Sequence, residues 1–250
     1  MTRKSPRQHL RQPHASVLFL FVCVITTLIP SQSWGSECVI LLHGLARSAS
    51  SMTTLEKALK DQGYAVANIG YPSRSKPIQE LASRAIENGI RTCGDDHVKI
   101  HFVTHSLGGI LVRYYLKDQT LERLGRVVMI GPPNQGSQVV DHYKDIPGYT
   151  LINGPAGLQL GTDEHSIPLN LGPVAFEVGI IAGTRTFNPI LSQSLPNPDD
   201  GKVSVENTKV EGMQDFIAVP HTHTFMMRAD RVLQQTVHFL RHGRFQHTTE

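Results

Sequence analysis

Short apolar runs recur along the chain at Cys38–Leu42, Tyr64–Ile69, Val98–Val103, Val127–Ile130, Glu177–Ala182 and Phe216–Val219. They are rich in β-branched residues and nearly continuous in character, the pattern of strands buried on both faces of a parallel sheet. Helical periodicity fills most of the gaps. Met52, Leu55, Ala58 and Leu59 follow candidate caps at Ser50 or Ser51 and stop near Gly63. Leu81, Ala82, Ala85 and Ile86 follow Pro77 and end near Gly89, and further helices are predicted over Leu107–Lys117 and Thr224–Arg241. Strands alternating with helices predict an α/β fold whose parallel sheet is covered on both faces, with function at the strand C-termini.

The alternation dissolves between Asn134 and about Pro173 into Gly, Pro and scattered polar residues. A connection of that length is expected to cover the functional cleft as a small cap-like insertion, 134–173. Phe187–Pro198 reads as loop, and Asp199-Asp200-Gly201-Lys202-Val203 as a turn. No internal repeat or low-complexity tract is present, so residues 36–250 are expected to form a single domain.

Composition changes this picture mainly at the N-terminus. Arg3, Lys4, Arg7 and Arg11 precede an apolar run from Val17 to Ile29, and small residues at Ser33 and Gly35 allow cleavage before Ser36. Residues 1–35 therefore read as an export signal peptide, with an uncleaved N-terminal anchor as the rival; the run is short beside the about 20 residues of a membrane span. The expected location is exported, periplasmic or secreted. The formal charge of +3 is also an N-terminal effect: the 24 Lys and Arg less those four leave 20 against 21 Asp and Glu, a net −1. Such a body does not suggest a nucleic-acid partner. Without the leader the cysteines are Cys38 and Cys93, an even pair, and a disulfide between them is expected in an exported chain.

The chemistry concentrates at Lys99–Tyr114, where an apolar strand ends abruptly at Ser106, two glycines follow, and a helical pattern begins at once. A turn that tight lifts its central side chain clear of the sheet, beside the free N–H groups of a helix start. Ser106 is thus a candidate nucleophile, which requires a base, an acid to orient it and an oxyanion site. For the base, the chain offers His221 and His223 between the last strand and the last helix, and His223 is favoured because it lies nearer the helix start. For the acid, Asp200 is favoured over Asp199 because it heads the turn that Gly201 closes. The N–H of Leu107, directly after the serine, and that of Leu45, after His43-Gly44, are the candidate oxyanion donors.

Other polar residues read as structural. His43 belongs to its turn, His101 to the core or cleft wall, and His105 should point away along the elbow. Met226, Met227, Leu233, Val237 and Leu240 read as core. His221-x-His223 lacks a third ligand at a convincing spacing, so no metal is expected.

His43-Gly44-Leu45, the elbow Thr104-His105-Ser106-Leu107-Gly108, the stretch Gly131–Ser137, Asp200-Gly201 and His223 together resemble the α/β-hydrolase superfamily, within it the bacterial esterase and lipase group. The resemblance covers most of the chain after residue 35. It implies an α/β-hydrolase fold and carboxylic ester hydrolysis through an acyl-enzyme, with Ser106 as nucleophile, His223 as base, Asp200 as acid, and Leu45 and Leu107 as oxyanion donors. It implies no cofactor. Ester or lipid substrates are expected, and with them contact with a membrane surface. An acyltransferase and a binding protein without reactivity are the other readings of such a scaffold. Thr104 stands where the Gly-x-Ser-x-Gly elbow has its first glycine, and is expected to press against Gly108.

Overall fold

A computed structural model describes residues 1–2 and 37–247. The predicted leader, apart from its first two residues, lies outside the described residues. The strands are β1 (Glu37–Leu42), β2 (Ala65–Ile69), β3 (Lys99–His105), β4 (Leu124–Ile130), β5 (Val178–Gly183) and β6 (Asp215–Val219). They form one sheet in the order β2-β1-β3-β4-β5-β6, and every neighbouring pair is parallel.

Period-two alternation divides the core. Along β1, Ile40 and Leu42 face one side while Val39 and Leu41 face the other, and all four are buried. The first side is covered by helices α2 (Ile78–Cys93) and α3 (Leu107–Asp118), through residues such as Leu81, Ile86, Ile110 and Leu111. The second is covered by α1 (Thr53–Asp61) and the C-terminal helix Asp230–His242, through Leu55, Leu59, Val232 and Phe239. A strand with apolar side chains on both faces can be stable only between two such layers, which accounts for the unbroken hydrophobic runs.

The connection from β4 to β5 carries three short helices, α4 (Gln138–Tyr143), α5 (Tyr149–Leu158) and α6 (Ile167–Asn170). Two more, α7 (Pro189–Ser192) and α8 (Val205–Thr208), lie between β5 and β6, and the C-terminal helix is α9. Ser137 and Ser166 cap α4 and α6 with their hydroxyls, and Gly154, at φ +67°, kinks α5 before Pro155.

The boundaries depart from expectation in several places. The predicted Phe187–Pro198 loop contains α7, which the Asn188 side chain caps by accepting the Ile190 and Leu191 N–H groups, and β4 begins at Leu124, three residues before the predicted start. Helix α2 runs past Gly89 to Cys93, because Gly89 lies directly against Ile40, where a side chain would collide with the strand. The first helix is preceded by a 3-10 turn, Ala49–Met52, whose N-cap position is Ser48, not Ser50 or Ser51. The predicted helix over Thr224–Arg241 is a 3-10 turn, Met226–Arg228, followed by α9, since Ala229 is extended (φ −78°, ψ 128°). A disulfide joins Cys38 at the start of β1 to Cys93 at the end of α2. Among the described residues no helix is long and apolar enough to cross a membrane.

From β1 the chain first builds outward to β2, then returns to add β3 on the other side. Connections of opposite sense leave a crevice beyond the carboxyl ends of β1 and β3. The loop holding Leu45 and the turn holding Ser106 are the two lips of that crevice.

Candidate active site

Strand β3 delivers Ser106 at φ +52° and ψ −120°, a left-handed backbone that non-glycine residues rarely adopt. Three contacts maintain it. The Ser106 N–H donates to the Ile130 carbonyl on β4 at 2.9 Å, and the Gly109 N–H donates to the Ser106 carbonyl at 3.0 Å. Gly108 lies so close to the β1 backbone that a Cβ there would stand 2.6 Å from the Leu42 oxygen. Ser106 occupies the N-cap of α3, yet its hydroxyl makes no cap hydrogen bond, which leaves Oγ for other partners. The atoms nearest a Cβ on Gly108 belong to Leu42 and His43, and the Thr104 hydroxyl faces the Val128 carbonyl on β4.

The structure brings His223 and Asp200 together. His223 Nδ1 lies 2.7 Å from Asp200 Oδ2, and the two residues are 8% and 2% exposed. Asp200 Oδ1 accepts N–H bonds from Lys202 and Val203 at 3.0 and 2.8 Å, and the His223 N–H donates to the Asp200 carbonyl at 3.0 Å. Two amide donors and the imidazole satisfy a carboxylate that would otherwise be costly to bury. With Asp200 as acceptor, Nδ1 carries the proton and Nε2 is left with its lone pair.

Room for this pair comes from two glycines. A Cβ on Gly131, at φ +58°, would lie 3.1 Å from His223 Nδ1, and one on Gly183 would lie 2.7 Å from Asp200 Cβ. Asp199 has a different task, since its oxygens accept from the Gly201 N–H at 2.7 Å and the Ser192 hydroxyl at 2.5 Å. His221 is only partly buried, and its N–H bonds the Val219 carbonyl.

His105 reverses its expected orientation. Its ring packs 4.8 Å from that of His223, and its Nε2 donates to the His223 carbonyl at 2.9 Å. Nδ1 is buried without a partner, and a Cβ on Gly44 would come within 2.8 Å of it. Burial, followed by the nearby His223, holds the His105 pKa well below 6.5, so the ring stays neutral. The reason is topological: the elbow turns Ser106 upward, and the preceding side chain then falls between the loops that carry Gly44 and His223.

His43 is a structural part of its turn. It stacks on Tyr71 with ring centroids 4.0 Å apart, donates from Nδ1 to the Gly44 carbonyl and accepts the Tyr71 N–H at Nε2, while the Tyr71 hydroxyl donates to the His43 carbonyl. Burial lowers its pKa and raises that of Tyr71. His101 is buried on β3, where Nδ1 accepts the Arg126 N–H and Nε2 faces Glu37.

Ser106 and His223 line one cavity of about 330 Å³, together with Leu45, Val139, Val140, Tyr149, Ile152 and Leu160. Most of this apolar wall belongs to α4, α5 and the residues after them. Tyr149 is a phenol within that wall, and burial pushes its pKa up to about 12. Arg47 and Lys202 also line the cavity. Their signal in the sequence was position alone, two residues after Leu45 and two after Asp200. Among the described residues no group of three His, Cys, Asp or Glu side chains is placed to hold a metal.

No family model matches the sequence, and no curated protein matches it. Solved structures do resemble it. A lipase from Bacillus licheniformis, BlEst2 in mature form, shares 18% identity at a TM-score of 0.63, over 82% of this chain and 92% of that one. Phospholipase PlaB from Legionella pneumophila shares 17% at 0.60, over 82% and 58%. A thermophilic esterase from Thermogutta terrifontis shares 15% at 0.55, over 84% and 91%. At such identities the likeness establishes the fold, and the chain has the α/β-hydrolase fold.

Proposed function

We propose that this α/β-hydrolase-fold protein is a serine hydrolase of carboxylic esters, with Ser106 as nucleophile, His223 as base and Asp200 as the acid that holds it. The observation that carries this reading is the buried His223–Asp200 hydrogen bond at 2.7 Å beside a cavity that also contains the strained Ser106. In the proposed cycle His223 Nε2 takes the Ser106 proton as Oγ attacks the ester carbonyl. The resulting oxyanion faces the N–H groups of Leu107, at the helix start, and Leu45. The C–O bond to the alcohol then breaks, His223 returns the proton to that oxygen, and an acyl-enzyme remains. Water repeats the sequence, giving its proton to His223 and its oxygen to the acyl carbon, and the carboxylic acid leaves as Ser106 regains its proton. Asp200 fixes the tautomer and stabilises the imidazolium without taking the proton.

A fluorophosphonate probe is expected to label the wild-type protein and not Ser106→Ala, with nitrophenyl ester turnover lost in parallel. An unlabelled wild type would overturn the reading.

Lipid esters and contact with a membrane surface belong to the same proposal. Leu151 and Ile152 on α5 are 85% and 60% exposed, and Ile152 also lines the cavity, so an apolar lip adjoins the nucleophile. Nitrophenyl esters of rising chain length, assayed below and above micelle formation, decide the substrate: a rise in rate at the interface assigns a lipase, and a preference for short soluble esters an esterase. The proposed site of action is outside the cytoplasm, a reading supported by the Cys38–Cys93 disulfide.

A further inference from the structure

Among the described residues, Arg47 and Lys202 are the only lysine or arginine side chains that line the cavity, and no Asp or Glu lines it with them. Among the described residues neither forms an ion pair, whereas Lys57, Lys60, Lys76, Lys144 and Lys209 each lie within 4 Å of a carboxylate. From residue 12 onward the chain carries a net charge of −1, so this pair is a local concentration of positive charge rather than part of a basic surface.

Both residues spring from anchored backbone. Arg47 follows Ala46, which is left-handed at φ +54° and donates its N–H to the Ser73 hydroxyl at 3.1 Å; the Arg47 N–H returns to the Gly44 carbonyl at 3.3 Å. Lys202 donates its N–H to Asp200 Oδ1 and accepts the Ser137 hydroxyl on its carbonyl at 2.6 Å. One cation therefore stands on the loop that holds the proposed oxyanion donor, and the other on the turn that holds the proposed acid. Both side chains are exposed at the mouth, while Val139, Val140 and Leu160 are buried in the apolar wall. The wall nevertheless desolvates the Lys202 ammonium enough to lower its pKa; the Asp200 carboxylate opposes that shift in part, and Arg47 adds to it. Two like charges facing one cavity repel, and an anion between them relieves the repulsion of both.

We infer that the cleft selects esters whose alcohol portion carries an anionic group, carboxylate or phosphate, which Arg47 and Lys202 receive at the mouth while the acyl chain lies along the apolar wall. The inference rests on the proposed ester hydrolysis by Ser106, and it fixes the orientation of the substrate: acyl group inward, charged alcohol outward. Guanidinium and ammonium groups suit the task because both donate several hydrogen bonds to an oxyanion of either kind.

The test compares esters matched except for charge. One set is phenyl butyrates bearing a para carboxylate, carboxamide or trimethylammonium group; the other is monobutyrylglycerol and its 3-phosphate. In wild type the anionic member of at least one set is expected to exceed its neutral partner in kcat/KM by roughly tenfold at low ionic strength, with the cationic phenyl ester below both and the gap narrowing in added salt. A preference confined to the glycerol set assigns phosphate, and a preference in both sets assigns a general anion site. In Arg47→Ala/Lys202→Ala the ratio should fall to about one, and in Arg47→Glu it should invert, whereas Lys202→Arg should retain it. Circular dichroism checks that each variant is folded. Equal rates on anionic and neutral esters in wild type, or an anionic preference that survives the double substitution, would overturn the inference while leaving ester hydrolysis intact. Failure of the fluorophosphonate to label wild-type Ser106 would instead overturn the reading beneath it.

Discussion

Ser106 is held by elements that the sheet already fixes: β3 before it, α3 after it, the Ile130 carbonyl beside it and the Leu42 backbone behind Gly108. His223 and Asp200 lie on loops 23 residues apart, and meet through a side-chain bond, two turn amides and the contact between the His223 N–H and the Asp200 carbonyl. The first region stores strain in one backbone residue, which only close packing can maintain. The second contains no comparable strain at either residue and depends on each polar group finding its partner. The difference implies that packing changes should damage the elbow through stability, and polar changes should damage the loop pair through chemistry.

The largest effect should come from the loop side. Asp200→Asn is expected to lower kcat for a nitrophenyl ester by about 10⁴-fold with little change in melting temperature, because it removes the control of the His223 tautomer. Asp199→Asn should cost less than about tenfold by the same reasoning, since its bonds go to Gly201 and Ser192. Equal losses would break the division of labour between the two aspartates.

Glycine substitutions test the contrast directly. In Gly108→Ala the new Cβ meets the Leu42 oxygen at 2.6 Å, a backbone atom that cannot yield. Urea denaturation should show a loss of about 1–3 kcal/mol, with fluorophosphonate labelling impaired as well. In Gly131→Ala the Cβ would lie 3.1 Å from His223 Nδ1, at a backbone of φ +58°. The left-handed residue should cost about 1–2 kcal/mol, and a shift of the imidazole should lower kcat further. A Gly108→Ala variant of undiminished stability would show that the elbow is less tightly packed than its contacts imply.

The smallest effect is a pH dependence shared by both regions. His43 and His105 have folded pKa values below the ordinary 6.5, chiefly through burial. Below about pH 6.5 the unfolded chain binds protons that these buried rings resist. Stability is therefore complete above that pH and declines as the pH falls through it. The urea midpoint should follow this course, and the decline should be shallower in His105→Gln, which keeps an N–H donor for the His223 carbonyl but cannot titrate. An unchanged slope in that variant would remove His105 from the explanation.

The sheet-borne region was largely legible in the sequence. The apolar runs located the strands to within a few residues, and the abrupt passage from Val103 through Ser106 to Gly108 marked the elbow, because strand, turn and helix propensities are written in adjacent residues. The misplaced details were those in which distant packing overrode a local signal: Gly89 reads as a stop until Ile40 is seen against it, and His105 reads as pointing away along the elbow until its ring is seen against His223.

By itself the sequence determined the α/β alternation, the elbow at Ser106 and a short set of acids and histidines in a suggestive order. Tertiary structure alone decided that Asp200 rather than Asp199 meets His223, that His105 turns inward against it, and that Arg47 and Lys202 share one cavity with Ser106. The physical reason is range. Backbone conformation responds to neighbours a few residues away, whereas a buried hydrogen bond or a pair of like charges at a cleft depends on where the sheet and its loops bring residues far apart in the chain.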